Sequence, residues 1–408
     1  MAVPKLRFKA DDGSDYPNLE ETKLDTLMAF KNGINASGDK FGRGTKCISV
    51  MDILNNSCIT YDVIKGEVDV DEKTLQNFTV EYGDAVFQRS SENVQDAGRA
   101  NVYMDKDRPA TFSGFVIRGK RIANYEPMFM NGLLNTFSVR KQIMSKAQGA
   151  QHINIGQEIL SSVRVNMPSL PEQQKIAEFL STIDTVIEKQ KETVSAWEER
   201  KKGVMQKLFS QEVRFKADDG SDFPDWEEKP FGEIFEKTSN KNTCYGTDKI
   251  ISVANMYYKE DASVSNEDYL KTYNIMLYGD IAFEGHVNKE HSHGRFVLND
   301  IGNGIVSHIF DVFHPKNLSL YSVGFWKEYI RHEPIMGRVL VRCTKSSTMM
   351  RNLVAKEFLQ ELIPVPCIAE QQKIADCLSS LDEVIEKQKA TLAAWEELKK
   401  GLLQQMFV

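Results

Sequence analysis

The sequence repeats itself, and this duplication constrains the fold more than any other feature. The segment RFKADDGSDYP at 7–17 returns as RFKADDGSDFP at 214–224. The segment EQQKIAEFLSTIDTVIEK at 172–189 returns as EQQKIADCLSSLDEVIEK at 370–387, with 13 of 18 positions identical. Because internal repeats mark repeated structural units, we expect two similar halves of about 200 residues each.

The second repeated segment has the pattern of a long helix. Each copy follows a proline, contains none, and carries apolar residues at alternating spacings of four and three, which is the heptad pattern of a coiled coil. Trp197 and Trp395 would either pack in this seam or dock a partner. Lys201 and Lys399 lie late on the seam, where we expect the helices to separate and face a partner. The predicted interface residues are Ile176, Leu180, Ile183, Ile187, Trp197, Ile374, Leu378, Leu381, Ile385 and Trp395.

Two seams on one chain pair most simply with each other. Both copies run in the same sequence direction, and each leads into a separate block. An internal two-fold axis would therefore place the two helices antiparallel. In the alternative arrangement, each helix pairs with another chain.

The blocks between the helices have the pattern of mixed α/β (α+β) domains. Runs such as CISVMDI and FSGFVIR, bounded by Gly, Asp and Asn, are typical of short strands and turns. The predicted fold is two similar mixed α/β domains separated by an antiparallel coiled coil, with an internal pseudo-two-fold repeat. The predicted boundaries are 1–167 for the first domain, 168–210 for the first helix, 211–363 for the second domain and 364–408 for the second helix.

The charge of the chain is unevenly distributed. The net charge of −7 disfavours a protein whose main task is to grip a polyanion. However, residues 1–109 carry a net −5, whereas 110–167 carry +5 and 316–356 carry +6. This polarity suits a domain with one face toward phosphates and another toward a protein partner, although solvated helix faces would give the same sums.

Two polar loops follow the repeated YGD turns, at 88–93 and 284–295, and further polar turns end the basic segments, at 146–152 and 345–351. Their side chains can donate to phosphates or to base edges. The candidate DNA-binding residues of the first domain are Gln88, Arg89, Ser90, Arg118, Lys120, Arg140, Lys141, Lys146, Gln148 and Gln151. Those of the second domain are His286, Asn288, Lys289, Arg295, Arg338, Arg342, Lys345, Ser346 and Arg351.

The sequence carries none of the catalytic or metal-binding motifs that we sought. GRGTK at 42–46 has the wrong spacing for a phosphate-binding loop, and the six cysteines form no CxxC pair. His286, His291 and His293 are better explained as a polar loop than as a metal site. The N-terminus has no signal-peptide pattern and no apolar run is long enough for a membrane span. We therefore expect a cytoplasmic protein without catalytic residues, metal or membrane contact.

The repeated motifs resemble the specificity subunit of type I restriction–modification systems. The resemblance covers essentially the whole chain. It rests on PxxxEQQKIA at 168–177 and 366–375, on WEExKKGxxQxxF at 197–209 and 395–407, and on the two RFKADDGSD motifs. The GDxxF turns at 83–87 and 279–283 also match the family. The resemblance implies that each variable block is a target-recognition domain for one half of a bipartite, asymmetric DNA site.

The resemblance also implies the partners. The helices would act as a spacer and would dock methyltransferase subunits, two in number, and restriction or motor subunits would join through the complex. These partners would use S-adenosylmethionine to methylate adenine, and ATP with Mg²⁺ to cut, whereas this chain would bind no cofactor. Its net charge predicts weak binding to double-stranded DNA alone and tight binding with the methyltransferase subunits. A coiled-coil adaptor that never touches DNA and a single-chain enzyme are the alternatives.

Overall fold

The structure is a computed structural model that describes residues 4–147, 149, 152–260, 267–288, 291–346 and 350–407. The chain forms two compact units. Unit 1 consists of Met1–Glu192 and Ala390–Val408, and unit 2 of Thr193–Lys389. Each unit therefore combines one variable block with a segment of each long helix.

Unit 1 alternates short strands with short helices. Within the described residues its strands are β1 Glu20–Lys23, β2 Met28–Asn32, β3 Phe41–Ile48, β4 Glu67–Val68, β5 Ala85–Gln88, β6 Ser90–Ser91, β7 Ala100–Val102, β8 Thr111–Phe112, β9 Val116–Arg121, β10 Ile153–Asn154 and β11 Arg164–Met167. Its helices are α1 Leu24–Leu27, α2 Val50–Asn55, α3 Glu72–Asn77, α4 Pro127–Leu134, α5 Phe137–Lys146, α6 Gln157–Ser161 and the first part of α7 Leu170–Phe209.

Unit 2 repeats this alternation. Its described strands are β12 Glu227–Pro230, β13 Phe235–Thr238, β14 Ile251–Ser252, β15 Tyr257–Tyr258, β16 Asn274–Met276, β17 Ile281–Glu284, β18 Arg295–Leu298, β19 Gly304–Val306, β20 Asp311–Pro315, β21 Thr344–Ser346, β22 Arg351–Leu353 and β23 Leu362–Val365. Its helices are α8 Phe231–Ile234, α9 Glu267–Leu270, α10 Val323–Tyr329, α11 Glu333–Cys343, α12 Ala355–Gln360, the end of α7 and most of α13 Ile368–Met406.

The two units are built around sheets of the same order. Unit 1 has an antiparallel sheet in the order β2-β9-β5-β7, and unit 2 has one in the order β13-β20-β17-β18. In each unit a strand near the beginning pairs with the strand before the long helix, as β1 with β11 and β12 with β23. The duplication therefore extends into the blocks, although little of their sequence is shared, and the predicted fold class is confirmed.

The GDxxF turn of unit 1 is a buried hydrogen-bonding device. Gly83 has a φ of 88°, which favours glycine. The buried Asp84 carboxylate accepts backbone N–H groups from Glu81 at 3.1 Å and Arg121 at 2.8 Å. The Tyr125 hydroxyl donates to the Gly83 carbonyl at 2.8 Å. Burial raises the pKa of the Asp84 carboxyl, because it disfavours the charged form. The two backbone hydrogen bonds favour the charged form and hold the turn in place.

Unit 2 contains the same device. Gly279 has a φ of 89°, and the Asp280 carboxylate accepts the Leu277 N–H at 2.7 Å. His314 Nδ1 lies 2.6 Å from the other oxygen of Asp280, and the Tyr321 hydroxyl donates to the Gly279 carbonyl at 2.9 Å. The repeated Gly-Asp pair thus fixes the start of the central strand in both sheets.

The repeated EQQK sequence joins each long helix to the RFKADDGSD motif that precedes the block on that helix. Buried Glu172 accepts two hydrogen bonds from the Arg7 guanidinium, at 2.9 and 2.6 Å. Buried Glu370 accepts two from Arg214, at 3.0 and 2.8 Å, and a third from Trp226 Nε1 at 3.0 Å. This geometry explains why the RFKADDGSD and EQQK motifs are repeated together.

The first glutamine of the motif makes equivalent contacts in both units. Gln173 accepts the Glu126 N–H at 3.0 Å and donates to the Pro168 carbonyl at 2.9 Å. Gln371 accepts the Ser322 N–H at 3.1 Å. Because both amides are buried, each satisfies backbone groups that water cannot reach.

In unit 1 the two long helices run antiparallel. Leu180 of α7 lies in the same core as Met406, the last residue of α13, whereas Asp184, one turn further along α7, pairs with Lys399, two turns earlier in α13. The predicted seam residues Ile176, Leu180, Ile183 and Ile187 are all buried.

In unit 2 the helices are also antiparallel. Glu198 of α7 pairs with Lys389 of α13 at 3.0 Å, and Lys201 pairs with Asp382 at 2.7 Å. Of the predicted seam residues, Ile374, Leu378 and Ile385 are buried, and Leu381 packs partly buried against the core. The antiparallel pairing within one chain is therefore confirmed, and pairing of each helix with another chain is wrong.

Two expectations about the seam need correction. Lys201 and Lys399 do not face a partner where the helices separate, because both make ion pairs to the opposite helix, with Asp382 and Asp184. Trp197 and Trp395 are half-buried, so neither is a fully packed seam residue. Within the described residues, no helix is long and apolar enough to cross a membrane.

We predict that Glu370→Ala lowers the free energy of unfolding by about 3 kcal/mol, since a partly buried arginine loses its carboxylate partner. Glu172→Ala is expected to cost about 1 kcal/mol less, because no tryptophan N–H loses an acceptor there. Urea unfolding measures both. Glu178→Ala, an exposed position on the same helix, is the control, and equal stability of all three variants would contradict the clamp.

A charge exchange tests the antiparallel register. Asp184→Lys places two lysines opposite each other and is expected to cost about 1 kcal/mol, and combining it with Lys399→Asp is expected to restore most of that loss. Denaturant unfolding of the two single variants and the double variant gives the coupling. Thr185→Lys, an exposed neighbour, serves as control, and an additive double variant would show that this pair does not form.

Candidate nucleic-acid interface

In unit 1 the predicted loop after the GDxxF strand meets the segment that directly follows the predicted 146–152 turn. Strand β6, which follows the GDxxF strand, pairs antiparallel with β10, which follows α5. Ile155 N–H donates to the Arg89 carbonyl at 2.9 Å, and the side chains of Ser90 and Asn154 are hydrogen-bonded to each other. Segments about 60 residues apart in sequence therefore form one surface.

Several cations on this part of unit 1 keep their charge available. Lys141 and Lys146 are exposed, and Lys146 donates to the neutral Ser162 hydroxyl at 2.7 Å. Arg89 is half-buried and donates to the Gly114 carbonyl at 3.2 Å. Within the described residues, none of these three cations has a carboxylate partner, so they suit an interaction with phosphates. Lys120 differs, because Glu81 lies 3.7 Å from its amino group.

Three predicted contacts of unit 1 are buried, which corrects their predicted place at the surface. Gln88, Arg118 and Arg140 are only 3%, 7% and 8% exposed. Gln88 donates to the Ser90 carbonyl at 3.0 Å and Arg140 to the Gln95 carbonyl at 2.7 Å. Gln88 and Arg140 therefore stabilise the segment around residues 90–95 through its backbone carbonyls, because buried polar groups need hydrogen-bond partners.

Burial also changes the acidity of the two arginines. It lowers the pKa of Arg118 and lowers that of Arg140 to about 10. The second value still leaves Arg140 positively charged at neutral pH. Arg118 donates to the Thr79 carbonyl. Gln148 and Gln151, also predicted as contacts, lie outside the described residues.

In unit 2 the corresponding loops also meet. The β21–β22 hairpin packs against the loop between β17 and β18, where Arg351 N–H donates to the Gly285 carbonyl at 2.7 Å and His286 bridges to Met350. Arg351 Nε also donates to the Ser292 carbonyl at 3.3 Å. Lys289, a further predicted contact in this loop, lies outside the described residues.

The cations of unit 2 fall into two classes. Arg342 makes two bonds of 2.9 Å to the Glu361 carboxylate, and Arg295 makes one of 2.7 Å to Glu284. In contrast, the exposed Arg338 and Lys345 have no carboxylate partner among the described residues. Arg351 also belongs to the second class, since its side chain donates to the Ser346 hydroxyl and to a carbonyl. The second class has the net positive charge that phosphate contacts require.

The histidine loop of unit 2 borders a cavity of about 330 Å³. His291 lines it, and its Nδ1 is buried without a hydrogen-bond partner. His286 is exposed, with Nδ1 3.8 Å from Glu284, and exposed Asn288 accepts the His291 N–H at 2.8 Å. No group of metal-ligating side chains occurs in the part of the chain that the structure describes.

Two residues of these surfaces, Asn154 and Ser292, are not among the predicted DNA-binding residues. Asn154 is exposed beside Ser90, and Ser292 supplies the carbonyl that orients Arg351. Asn154 continues the polar run from residue 146, which could have extended the predicted loop. Ser292 lies within the predicted 284–295 loop, but its contact to Arg351 depends on a hairpin about 60 residues away, which no local pattern shows.

Comparisons with known proteins agree with this architecture. The MjaVIII type I restriction enzyme specificity subunit of Methanocaldococcus jannaschii is 25% identical over 284 residues, which span 64% of this chain and 64% of that protein. The match thus covers less than two thirds of that relative's length.

Two solved structures share the fold. The S subunit of a type I restriction–modification system from M. genitalium has a TM-score of 0.50 and 16% identity, covering 100% of this chain and 99% of its own. A chain from a study of assembly and conformational transition of the type I R-M system has a TM-score of 0.54 and 12% identity, covering 96% and 97%. At these identities the likeness concerns the fold alone.

The family model for the type I restriction modification DNA specificity domain matches residues 51–195 and again residues 224–394. These two matches cover most of the chain and follow the duplication seen in both sequence and sheets. The chain therefore belongs to the family of type I restriction–modification specificity subunits.

Proposed function

We propose that this chain supplies the DNA sequence specificity of a type I restriction–modification complex, with each unit reading one half of a bipartite, asymmetric site. This proposal rests on one observation, which is that the two units share a scaffold but differ in their loops. Both units pair the loop after the GDxxF strand with a second segment, Ile153–Asn154 in one and Met350 in the other, but QRSSEN in one corresponds to EGHVNKEHSHGR in the other. Two similar scaffolds with different loops suit two different half-sites.

Recognition would divide between two kinds of side chain. Un-neutralised cations such as Lys141, Lys146, Arg338 and Lys345 would contact phosphates and set the position of each unit. Ser, Asn and His groups of the loops would hydrogen-bond to base edges, and their different sequences would give different preferences. Buried Gln88 and Arg140 would keep the loop of unit 1 in shape without touching DNA, and buried Arg118 would instead hold the Thr79 carbonyl.

Joining two readers in one chain would supply affinity that neither has alone. When one unit is bound, the other is held at a high effective concentration near its half-site, provided that the spacer allows both to engage. α7 and α13 each contribute to both units, so they are the elements suited to serve as this spacer. Their length would then set the gap between the half-sites.

The chemistry would belong to partner subunits, and this chain would be non-catalytic. We propose that two methyltransferase subunits bind it and methylate adenine with S-adenosylmethionine, and that restriction subunits in the complex use ATP and Mg²⁺. The net charge of −7 opposes tight binding of DNA by the chain alone, so the methyltransferase subunits would complete the grip.

Salt dependence tests the phosphate contacts. Arg338→Gln and Lys345→Gln are each expected to reduce the slope of log K against log salt by about 1, and to weaken binding similarly for all sequences. Fluorescence anisotropy with a mixed-sequence duplex, in the presence of the methyltransferase subunits, measures this slope.

Arg342→Gln is the matched control, because Arg342 is on the same helix but already neutralised by Glu361. Its slope is expected to stay near that of the original protein. Equal slopes for all the variants would contradict the assignment, and binding that ignores DNA altogether would favour a protein adaptor.

Helix length tests the spacer. Deleting four residues from the middle of α7 moves the segments on either side about 6 Å closer along the helix axis and rotates them by a little more than one turn. The permitted gap is expected to change while both half-site sequences stay the same. Methylation of a DNA library with randomised gaps reads out both properties, and an unchanged gap in a folded variant would rule out the spacer role.

A further inference from the structure

Both units hold a large apolar side chain out in solvent at the same tight turn. The turn is formed by residues 113–116 before β9 in unit 1, and by residues 307–310 before β20 in unit 2. Each is closed by a hydrogen bond from the fourth N–H to the first carbonyl, at 2.9 Å and 3.1 Å. The third residues, Phe115 and Ile309, are 65% and 58% exposed. We call these two side chains the apolar tips.

The strand register shows that the apolar tips occupy the same structural position. Val86 pairs with Arg118 in unit 1, and Ala282 pairs with Val312 in unit 2. These two pairs are equivalent, because Val86 and Ala282 are each the fourth residue of a GDxxF motif. Counting three residues back from each partner reaches an apolar tip. The exposed side chain is therefore a feature of the shared scaffold, although the residue differs.

The apolar tips lie beside the polar loops that follow the GDxxF strands. In unit 1 the Arg89 N–H donates to the Phe115 carbonyl at 2.9 Å. In unit 2 the β17–β20 register, continued by two residues, aligns Gly285 with Ile309, and the Gly285 carbonyl accepts the Arg351 N–H at 2.7 Å. Among the described residues, neither arginine has a carboxylate partner. A cation that is free for phosphate thus adjoins each apolar tip.

The turn of unit 1 is built to hold its apolar tip outward. Turns are ordinarily formed by small or polar residues, and exposing a phenylalanine forgoes the free energy that its burial would supply. The Ser113 N–H donates to the Ile48 carbonyl at 3.0 Å. A Cβ atom at Gly114 would clash with the Asn35 side chain, so the turn is packed tightly on its inner side. The exposure of Phe115 is fixed by its surroundings.

We propose that each apolar tip inserts between two neighbouring base pairs of its half-site and partly unstacks them. Apolar wedges of this kind, including Phe and Ile, are a known means of kinking a duplex. The adjoining arginine would hold a phosphate next to the opened step. This inference rests on the proposed function and deepens it, because a half-site would then also be read through the ease with which that step opens.

The chemistry of the apolar tips favours DNA over a protein as the occupant. The two turns differ in their middle residues, which are Gly-Phe in unit 1 and His-Ile in unit 2, just as the adjoining polar loops differ. One protein partner bound twice would call for the same residues, whereas two different half-sites would not. On a duplex, the apolar surfaces within reach of such a side chain are the base faces and the thymine methyl group.

Fluorescence of 2-aminopurine tests the insertion, since it rises when this base analogue loses its stacking. The analogue is placed at successive positions of the methylated motif of the host, and the chain is added with its methyltransferase subunits at saturating concentration. We expect a rise at one step in each half-site, apart from the rise at the methylated adenine, which such enzymes extrude. Phe115→Ala is expected to abolish the rise in one half only, and Ile309→Ala that in the other half.

Ile122→Ala is the matched control. Ile122 is 59% exposed and directly follows the opposite end of β9, so both fluorescence signals are expected to remain. Because the apolar tips are exposed, Phe115→Ala and Ile309→Ala are expected to unfold at the same urea concentration as the original chain.

Affinity gives a second measure of the same contact. Phe115→Ala is expected to weaken binding to the target about tenfold, because stacking on one base is lost. The slope of log K against log salt is expected to stay the same, because no charge is removed. Phe115→Leu, which keeps an apolar side chain, is expected to retain most of the affinity. Fluorescence anisotropy measures all three properties.

The outcomes separate the two proposals. If the original complex shows no sequence preference, the proposed function fails. Specific binding without an unstacked step, or with a step that stays unstacked in Phe115→Ala, refutes the insertion alone. Weaker binding with unchanged fluorescence would assign Phe115 to a thymine methyl group and overturn the insertion. Loss of methyltransferase subunits from Phe115→Ala in native mass spectrometry would assign the turn to a protein partner and would equally overturn it.

Discussion

The antiparallel packing of α7 against α13 is the contact on which both units depend. The core of unit 1 includes Ile176 and Leu180 from α7 but also Met406 from α13 and Phe407, which follows it. The core of unit 2 includes Leu208 and Phe209 together with Ile374 and Leu378. Since each block buries its apolar surface against both helices, neither sequence half contains all the residues that its own core requires.

A second layer of polar contacts fixes each block on its helix. Glu172 and Glu370 are only 1% exposed and bind the arginines that begin each unit. A buried carboxylate is costly without such partners, so these bonds give orientation in addition to the apolar contacts. The rigid base they create is what allows the loops above it to vary without loss of the fold.

Sequence patterns predicted the helices well because the heptad seam is a local, periodic signal. The same signal could not predict the partners of Lys201 and Lys399. Both lie at late seam positions, and both pair with carboxylates on the opposite helix. Arg118 and Arg140 were predicted at the surface because arginine is seldom buried. Their backbone partners lie 39 and 45 residues away, and no local pattern shows such contacts. The pairing of the loops likewise depends on strand partners that only the folded chain reveals.

The charge of the candidate interface depends on which cations have a carboxylate partner. Arg338 and Arg342 lie one turn apart on α11, yet among the described residues a carboxylate pairs with Arg342 and none with Arg338. Summing charges along the sequence treats them alike, whereas the fold leaves one of them free for phosphate. A negative overall charge is thus compatible with the proposed DNA-binding surface, since acidic groups neutralise selected cations and leave others exposed.

Under the proposed function, this chain chooses the DNA sequence for its partners, one half-site for each unit. Single-molecule sequencing of methylated adenines in the host genome tests it most directly, with the original chain and with a chain whose 284–295 and 344–353 loops come from another family member. We expect one bipartite methylated motif, of which only one half changes after the exchange. A motif that stays the same, or changes in both halves, would contradict it.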